Sequence, residues 1–451
     1  MSRYARFVGL ASCAICLTWT ALADPWPGWR GPDGTGISKD KGLPLHWSTN
    51  QNVRWRTPLP ERGNSTPVVW NNRVFITQPI EKENRRTVMC FNTKDGKLLW
   101  QTSVTGAEKE TTCPDNPPCT SSPVVDGKRL IAWFGSAGVY CYDFEGRELW
   151  RRDLGRQSHQ WGYASSLAMY RNLCLLNFGP GQPSFIIALD KNSGKTVWKF
   201  DVPPVPDDTD YKDLGGDPAW AERPGAQKLS EIAGSWATPL LVHARGRDEL
   251  VVALPLQLLA LAPRTGERLW SCRGPNIGAY SSAFFGDGIV GLTGNGFRNT
   301  ALAVRPGGKG DVTATHRLWF SSLANNKAYI GSGIIFEGHI YLVSGGGLAA
   351  CLDLKTGQTI WEERLTGTGA RNGSYSSPVL AKDGLYIANR NADTFVIPAS
   401  PKFECLATNS IGGEPMNASL AVSDGAIFIR TDKALWCIAQ KPSQTSLSLS
   451  R

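Results

Sequence analysis

This 451-residue chain has little of what the commonest active sites use. It carries five histidines, His46, His159, His243, His316 and His339, and none forms the paired helical motif of a metalloprotease. There is no Gly-x-Ser-x-Gly elbow. Gly307-Gly308-Lys309-Gly310 lacks the spacing and the Ser or Thr of a phosphate loop, so a turn explains it, and Gly345 to Gly347 read as a hairpin. No run of like charges exceeds a few residues. The 48 Lys+Arg against 39 Asp+Glu give a net charge of +9 that is spread along the chain, which favours solubility and gives no nucleic-acid footprint. Beyond the N-terminus no stretch approaches the ~20 apolar residues of a spanning helix. What is abundant is hydrophobic residues (41%), 48 Gly, 29 Pro and 17 Trp, the makeup of an ordered chain with a large core.

The first residues carry Arg3 and Arg6, then an apolar stretch from Phe7 to Trp19, then Ala21-Leu22-Ala23 before Asp24. A basic start, an apolar run and a small-x-small site read as a secretory signal peptide over residues 1–23. The mature protein is expected to be exported, periplasmic or extracellular. A competing reading takes Leu10-Ala11-Ser12-Cys13 as a lipoprotein box with Cys13 acylated.

Tryptophans recur at Trp55, Trp100, Trp150, Trp198, Trp270, Trp319 and Trp361, at intervals of 45, 50, 48, 72, 49 and 42 residues. A period near 45 signals a propeller. The clearest copies of the repeated phrase run from Ala188 to Trp198 and from Cys351 to Trp361, with looser ones ending at Trp100, Trp150 and Trp270. Asp or Asn ends one strand, Thr or Ser and Gly make the turn, and the next strand carries the Trp, which should dock against the neighbouring blade. Cys90, Cys141, Cys351 and Cys437 share a repeat position with Ala188, Ala260 and Ala303, so they read as small core residues.

A second register gives the count. Each inner strand begins with a hydroxyl: Thr66, Ser122, Ser166, Thr238, Ser282, Ser332, Ser377 and Ser419. Turns such as Asp126-Gly127, Asp287-Gly288, Asp383-Gly384 and Asp424-Gly425 follow, and Asp-Gly is a strong hairpin signal. The eighth unit supplies three strands. Val53 to Thr57 form a Trp-bearing strand with no partner of their own, so they are expected to complete the eighth blade and close the ring, leaving no bare sheet edge. The expected fold is all-β: an eight-bladed β-propeller of four-stranded antiparallel blades over residues 53–440, closed by an N-terminal strand. A lead-in segment (24–52) precedes it and a polar tail (441–451) follows.

The phrase Ala-x-Asp-x-x-Thr/Ser-Gly-x-x-x-Trp resembles the repeat of the pyrroloquinoline quinone (PQQ)-type eight-bladed propellers. That group holds the quinoprotein alcohol dehydrogenases and the outer-membrane assembly lipoprotein of the barrel-insertion complex. The mature start, Trp26-Pro27-Gly28-Trp29-Arg30-Gly31-Pro32-Asp33-Gly34-Thr35-Gly36, and Gly135 to Asp143 are also similar to exported PQQ-like repeat proteins of planctomycete-type bacteria. A quinoprotein dehydrogenase would imply PQQ near the axis with calcium held by Glu, Asn and Asp beside a disulfide of adjacent cysteines. No two cysteines here are adjacent, and no residue matches the catalytic Asp by motif. PQQ and calcium are therefore without assigned site residues.

Loops entering the inner strands gather around the axis. They bring candidate ligand contacts at His159, Gln160, Trp161, Asn276, Tyr280, Asn325, Asn326, Lys327, Arg371, Asn372, Tyr375 and Glu414, a polar and aromatic mouth. The bland alternative is that these side chains solvate loop ends. Cys113 and Cys119 flank Pro114-Asp115-Asn116-Pro117-Pro118 and are candidates for a local disulfide. The insertion from Pro203 to Gly234, with Asp207, Asp208, Asp210, Asp213 and Asp217, reads as a solvated loop rather than a calcium site, since it lacks the Gly and terminal Glu of the hand-type loop. The expected function is a noncatalytic binding or scaffold module at the cell envelope, monomeric, with an envelope protein or glycan as partner. The rivals are a PQQ-dependent oxidoreductase and an outer-membrane protein assembly factor.

Overall fold

The computed structural model describes residues 24–106, 110, 112–206, 209, 232–274, 277–295, 299–323 and 328–440. Eight sheets follow one another around an axis, seven of four antiparallel strands and one that adds a fifth, parallel strand to its four. Blade one is built from Val68–Trp70, Arg73–Ile80, Arg85–Asn92 and Leu98–Thr105, and the next six repeat that order. Blade eight takes Ala421–Ser423, Ala426–Arg430 and Ala434–Ala439 from the C-terminal end and its outer strand, Val53–Pro58, from the N-terminal end. The ring closes as the repeat count requires. Among the described residues no helix is long and apolar enough to cross a membrane.

The ring is tied at its inner rim by the eight hydroxyls. Thr66 N donates to Ser122 Oγ, and Ser122 N to Ser166 Oγ. The relay continues through Thr238, Ser282, Ser332, Ser377 and Ser419, whose amide donates to Thr66 Oγ1, with N···O distances of 2.8 to 3.2 Å. Every blade thus satisfies a buried backbone donor with its neighbour's side chain, a need that buried amides impose.

The repeated tryptophans tie the ring nearer its circumference. Trp55, Trp100, Trp150, Trp198, Trp319 and Trp361 donate their indole N–H to carbonyls of Thr93, Phe144, Lys191, Pro263, Leu354 and Ser400, each in the next blade, at 2.8 to 3.1 Å. For all of these but Trp361, the turn glycine of that next blade lies against the ring. At Gly96, where φ is +69°, an added Cβ would stand 2.5 Å from Trp55 Cε3. Each Trp faces a small residue across its own ladder: Cys437, Cys90, Cys141, Ala188, Ala260, Ala303 or Cys351. All seven are fully buried.

Trp270 departs from the expected docking. Its indole donates to Glu249 Oε2 of its own blade at 2.7 Å, and Gly307 N reaches the same oxygen. The detour after blade five's third strand lays Gly310–Asp311 beside Trp270 and Ser271 as a fifth, parallel strand of blade four. That strand occupies the place of the usual turn. Blade seven has no Trp because its neighbour, blade eight, takes its outer strand from the other chain end and has no third hairpin to receive one. Trp47 of the lead-in fills this side instead, stacked on Tyr386 with its amide on Asn409 Oδ1.

The lead-in also crosses the axis. Trp26 pairs with Val69 of blade one, Pro27 O accepts from Val125 N of blade two, and Arg30 donates to Ser332 O and Gly333 O at the entry of blade six. Blades two and six face each other across an eight-membered ring, so residues 27–30 span one end of the channel. Arg30 is fully buried, and burial alone lowers its guanidinium to about 9. Gly36 and Ser38 then pair with Leu380 of blade seven.

Candidate functional site

The axial channel holds a cavity of about 390 Å³ between Trp29 of the lead-in and the loops that enter the inner strands. Its wall is two stacked rings. The first is the hydroxyl ring, of which all but Ser332 line the cavity. The second is the residue two positions earlier in each blade, which the period of an extended chain returns to the same side: Asn64, Thr120, Ala164, Trp236, Tyr280, Ile330, Tyr375 and Asn417 all line the cavity. Each hydroxyl oxygen already accepts a backbone amide. Among the described residues none of the eight donates its proton to another protein group, so these donors are free for solvent or a ligand.

Over blades three to five the mouth is aromatic. Trp161 stacks over Trp236 with centroids 5.9 Å apart and planes 30° apart, Tyr280 meets both edge-on, and His159 meets the Trp236 ring at 4.9 Å. Trp161 is 44% exposed. Burial among these rings lowers the His159 imidazole pKa from its ordinary value, favouring the neutral form. Its Nδ1 accepts Trp161 N at 3.2 Å.

Over blades seven, eight and one the mouth is charged. The turn Cys113–Asn116 is pinned by Arg62, which donates to Pro114 O, and by Asn64 and Asn417, which donate to Asp115 O. Arg390 pairs with the Asp115 carboxylate and lies 4.2 Å above the Tyr375 ring. Asn116 donates to Trp161 O and Tyr163 O, joining this turn to the aromatic half. Beside it is a recess of about 230 Å³ in which Arg62, Arg371 and Arg390 face Asp115 and Asp432, and whose wall shares Asn64, Asp115 and Asn417 with the axial cavity.

The structure gathers His159, Trp161, Tyr280 and Tyr375 around one mouth. Gln160 is exposed beside them, and Arg371 is in the arginine recess. Asn372 Oδ1 accepts Gly367 N and holds its own loop. Asn276, Asn325, Asn326 and Lys327 lie outside the described residues, as do the five aspartates of the insertion. Glu414 does not face the mouth. Its carboxylate takes Arg56 at 2.6 Å, Thr431 at 2.5 Å and Trp436 at 3.1 Å, a joint of blade eight. Those partners hold its pKa below the usual range against the opposing effect of burial.

Cys113 and Cys119 are both free thiols, so the candidate disulfide is not formed in the structure. Cys119 packs in the core with Phe75 and Phe134, whereas Cys113 lines the axial cavity. They face different surroundings. Sequence reasoning missed Trp236, Asn64, Asp115, Asn417, Arg62 and Arg390. For Trp236, Asn64 and Asn417 the signal was present as the position two before each ring hydroxyl.

A calcium-held quinone does not fit this wall. Calcium takes six to eight oxygens, carboxylates prominent among them. Among the described residues no three His, Cys, Asp or Glu side chains cluster to hold a metal, and Asp115, the one carboxylate on the described cavity wall, is already paired with Arg390.

Comparison with known proteins agrees with the ring. The chain is similar over 151 residues, at 30% identity, to the outer membrane protein assembly factor BamB of Alkalilimnicola ehrlichii, which covers 32% of this chain and 34% of that protein. The match spans about a third of the relative's length. Among solved structures, BamB from Moraxella catarrhalis superposes with a TM-score of 0.55 at 13% identity, covering 87% of this chain and 95% of the other. The computationally designed Ika8 protein also gives 0.55, at 12% identity, covering 86% and 99%. At these identities the likeness is one of fold. The PQQ_2 family model, described as outer membrane protein assembly factor BamB, matches residues 38–178, 84–273 and 182–446, nearly the whole propeller, and the chain belongs to that family.

Proposed function

We propose that the chain is exported by its N-terminal signal peptide and acts, as a monomer, as a noncatalytic binding or scaffold module of the cell envelope, with the axial mouth as its binding face. The observation that carries this reading is the mouth itself. The ring presents free hydroxyl donors beneath a half-buried aromatic cluster capped by exposed Trp161, the mixture of apolar walls and few directed polar groups that binding clefts use. A second reading, an outer-membrane protein assembly factor, is favoured by the family match. It would engage a protein partner and predicts that removing the gene lowers the yield of folded outer-membrane barrels.

Titrating PQQ with calcium into the mature protein, followed by calorimetry and thermal melting, tests the noncatalytic reading. The expected result is no saturable heat and no rise in melting temperature. Micromolar binding with a raised melting temperature would overturn the reading in favour of a quinoprotein oxidoreductase.

A further inference from the structure

We propose that the mouth binds an anionic oligosaccharide, with a sugar ring lying on the aromatic half and its carboxylate in the arginine recess. This rests on reading the mouth as a noncatalytic binding face.

The aromatic half selects for shape. Trp161, exposed and backed by Trp236, offers a broad apolar face near the solvent opening, suited to a ligand with a flat C–H face and a polar rim. A pyranose has that form. The walls below select for polarity. An apolar side chain of a peptide entering this cavity would strip water from the free hydroxyl donors and give them nothing to donate to, a cost that apolar contact does not repay. Sugar hydroxyls are both acceptors and donors and can meet them.

The arginine half selects for charge. Aromatic cages alone suit cations, but three arginines border the adjoining recess against two carboxylates. Arg390 is committed to Asp115, and Arg62 reaches Glu81 at 3.8 Å. Arg371 is exposed and makes no ion pair or hydrogen bond among the described residues. Its guanidinium can take a carboxylate through two parallel N–H···O bonds. Asn64, Asp115 and Asn417 line both, so the recess adjoins the axial cavity across that wall and a ligand would reach both over its rim.

The test uses the mature protein with digalacturonate as the anionic probe, the neutral disaccharide cellobiose and acetate as controls, and calorimetry with intrinsic tryptophan fluorescence as readouts. Digalacturonate should bind saturably and quench fluorescence, with cellobiose weaker by about tenfold or more and acetate giving no quench. Trp161→Ala and Arg371→Ala alter exposed side chains, so the fold should persist, which the melting temperature checks. Each should weaken digalacturonate by about tenfold, and only Arg371→Ala should abolish the preference over cellobiose. No saturable digalacturonate binding overturns the proposal, as does equal affinity for cellobiose or an unaffected Trp161→Ala variant. The two readings fail separately: absent digalacturonate binding together with absent PQQ binding removes only the ligand class, whereas saturable PQQ binding removes the noncatalytic reading beneath it.

Discussion

The joint between Trp55 and Gly96 closes the ring, and a double-mutant cycle can resolve its parts. Trp55 is 8% exposed and bonds Thr93 O at 2.8 Å, so Trp55→Ala should cost about 3–5 kcal/mol, as for other buried aromatics. Gly96→Ala carries two separable costs. A left-handed backbone at φ +69° charges an L-residue roughly 1–2 kcal/mol, and a Cβ at 2.5 Å from the indole adds overpacking of about 1–3 kcal/mol. Without the indole its share of the overpacking vanishes, while the backbone strain and a close contact of 2.6 Å with Thr57 Oγ1 stay. The double variant should therefore be more stable than the sum of the single effects by about 1–3 kcal/mol. Gly425, at φ +65° with nothing within 4 Å of its would-be Cβ, supplies the control: Gly425→Ala should cost only the strain and couple to nothing. Urea unfolding with matched m-values measures each corner. Additivity of Trp55→Ala and Gly96→Ala to within about 0.5 kcal/mol would refute the claim that ring and glycine are in enforced contact.

A chain starting at residue 53 loses the lead-in, with the span across the axis and the Trp47 contact on blade seven, whereas one starting at residue 59 also bares the Ala434–Ala439 edge. The second should melt lower and self-associate in sedimentation, and a stable monomer would contradict the closure. Asp40 has its carboxyl raised to about 6, first by burial and then by Asp24 and Asp424. An acid raised in the folded state holds its proton more tightly there, so stability falls as pH climbs from the ordinary carboxylate range through about 6. Asp40→Asn should gain on the parent in thermal melts at pH 7 and lose that advantage at pH 4. Burial pushes the thiols of Cys90, Cys119, Cys141 and Cys437 up to about 12, so a thiol reagent at pH 8 should label exposed Cys405 first, half-buried Cys113 more slowly, and these four only on unfolding.

Periodicity made the ring legible. Eight hydroxyls announced eight blades because each answers a backbone need that recurs at every inner strand, and cysteine or alanine opposite each Trp was legible as a small core residue for the same reason. Departures followed where local chain does something once. Trp270 was read as an ordinary joint because the strand that displaces its partner comes from Gly310–Asp311, 40 residues later in the chain and without a repeat signature of its own. The lead-in could not be read as a span across the axis, since nothing periodic ties Pro27 to blade two or Arg30 to blade six. The mouth was legible in part. Aromatic loop residues drew notice, while Asp115 and Arg390 meet across 275 residues of sequence and only the closed ring brings them together. Glu414 was misplaced because a charged residue near an inner strand looks like a mouth residue until its partners Arg56 and Trp436 are known.

The hydroxyl relay runs in one sense around the whole ring, each amide pointing to the next blade and the last returning to the first. Eight equal bond dipoles set head to tail on a circle sum to nothing in its plane. The channel is therefore lined with hydrogen-bond donors, while the circuit that holds them adds no lateral field on the axis. Discrimination between an anion and a neutral guest is left to the rim above, where a few arginines and rings can change without disturbing the wheel that holds them.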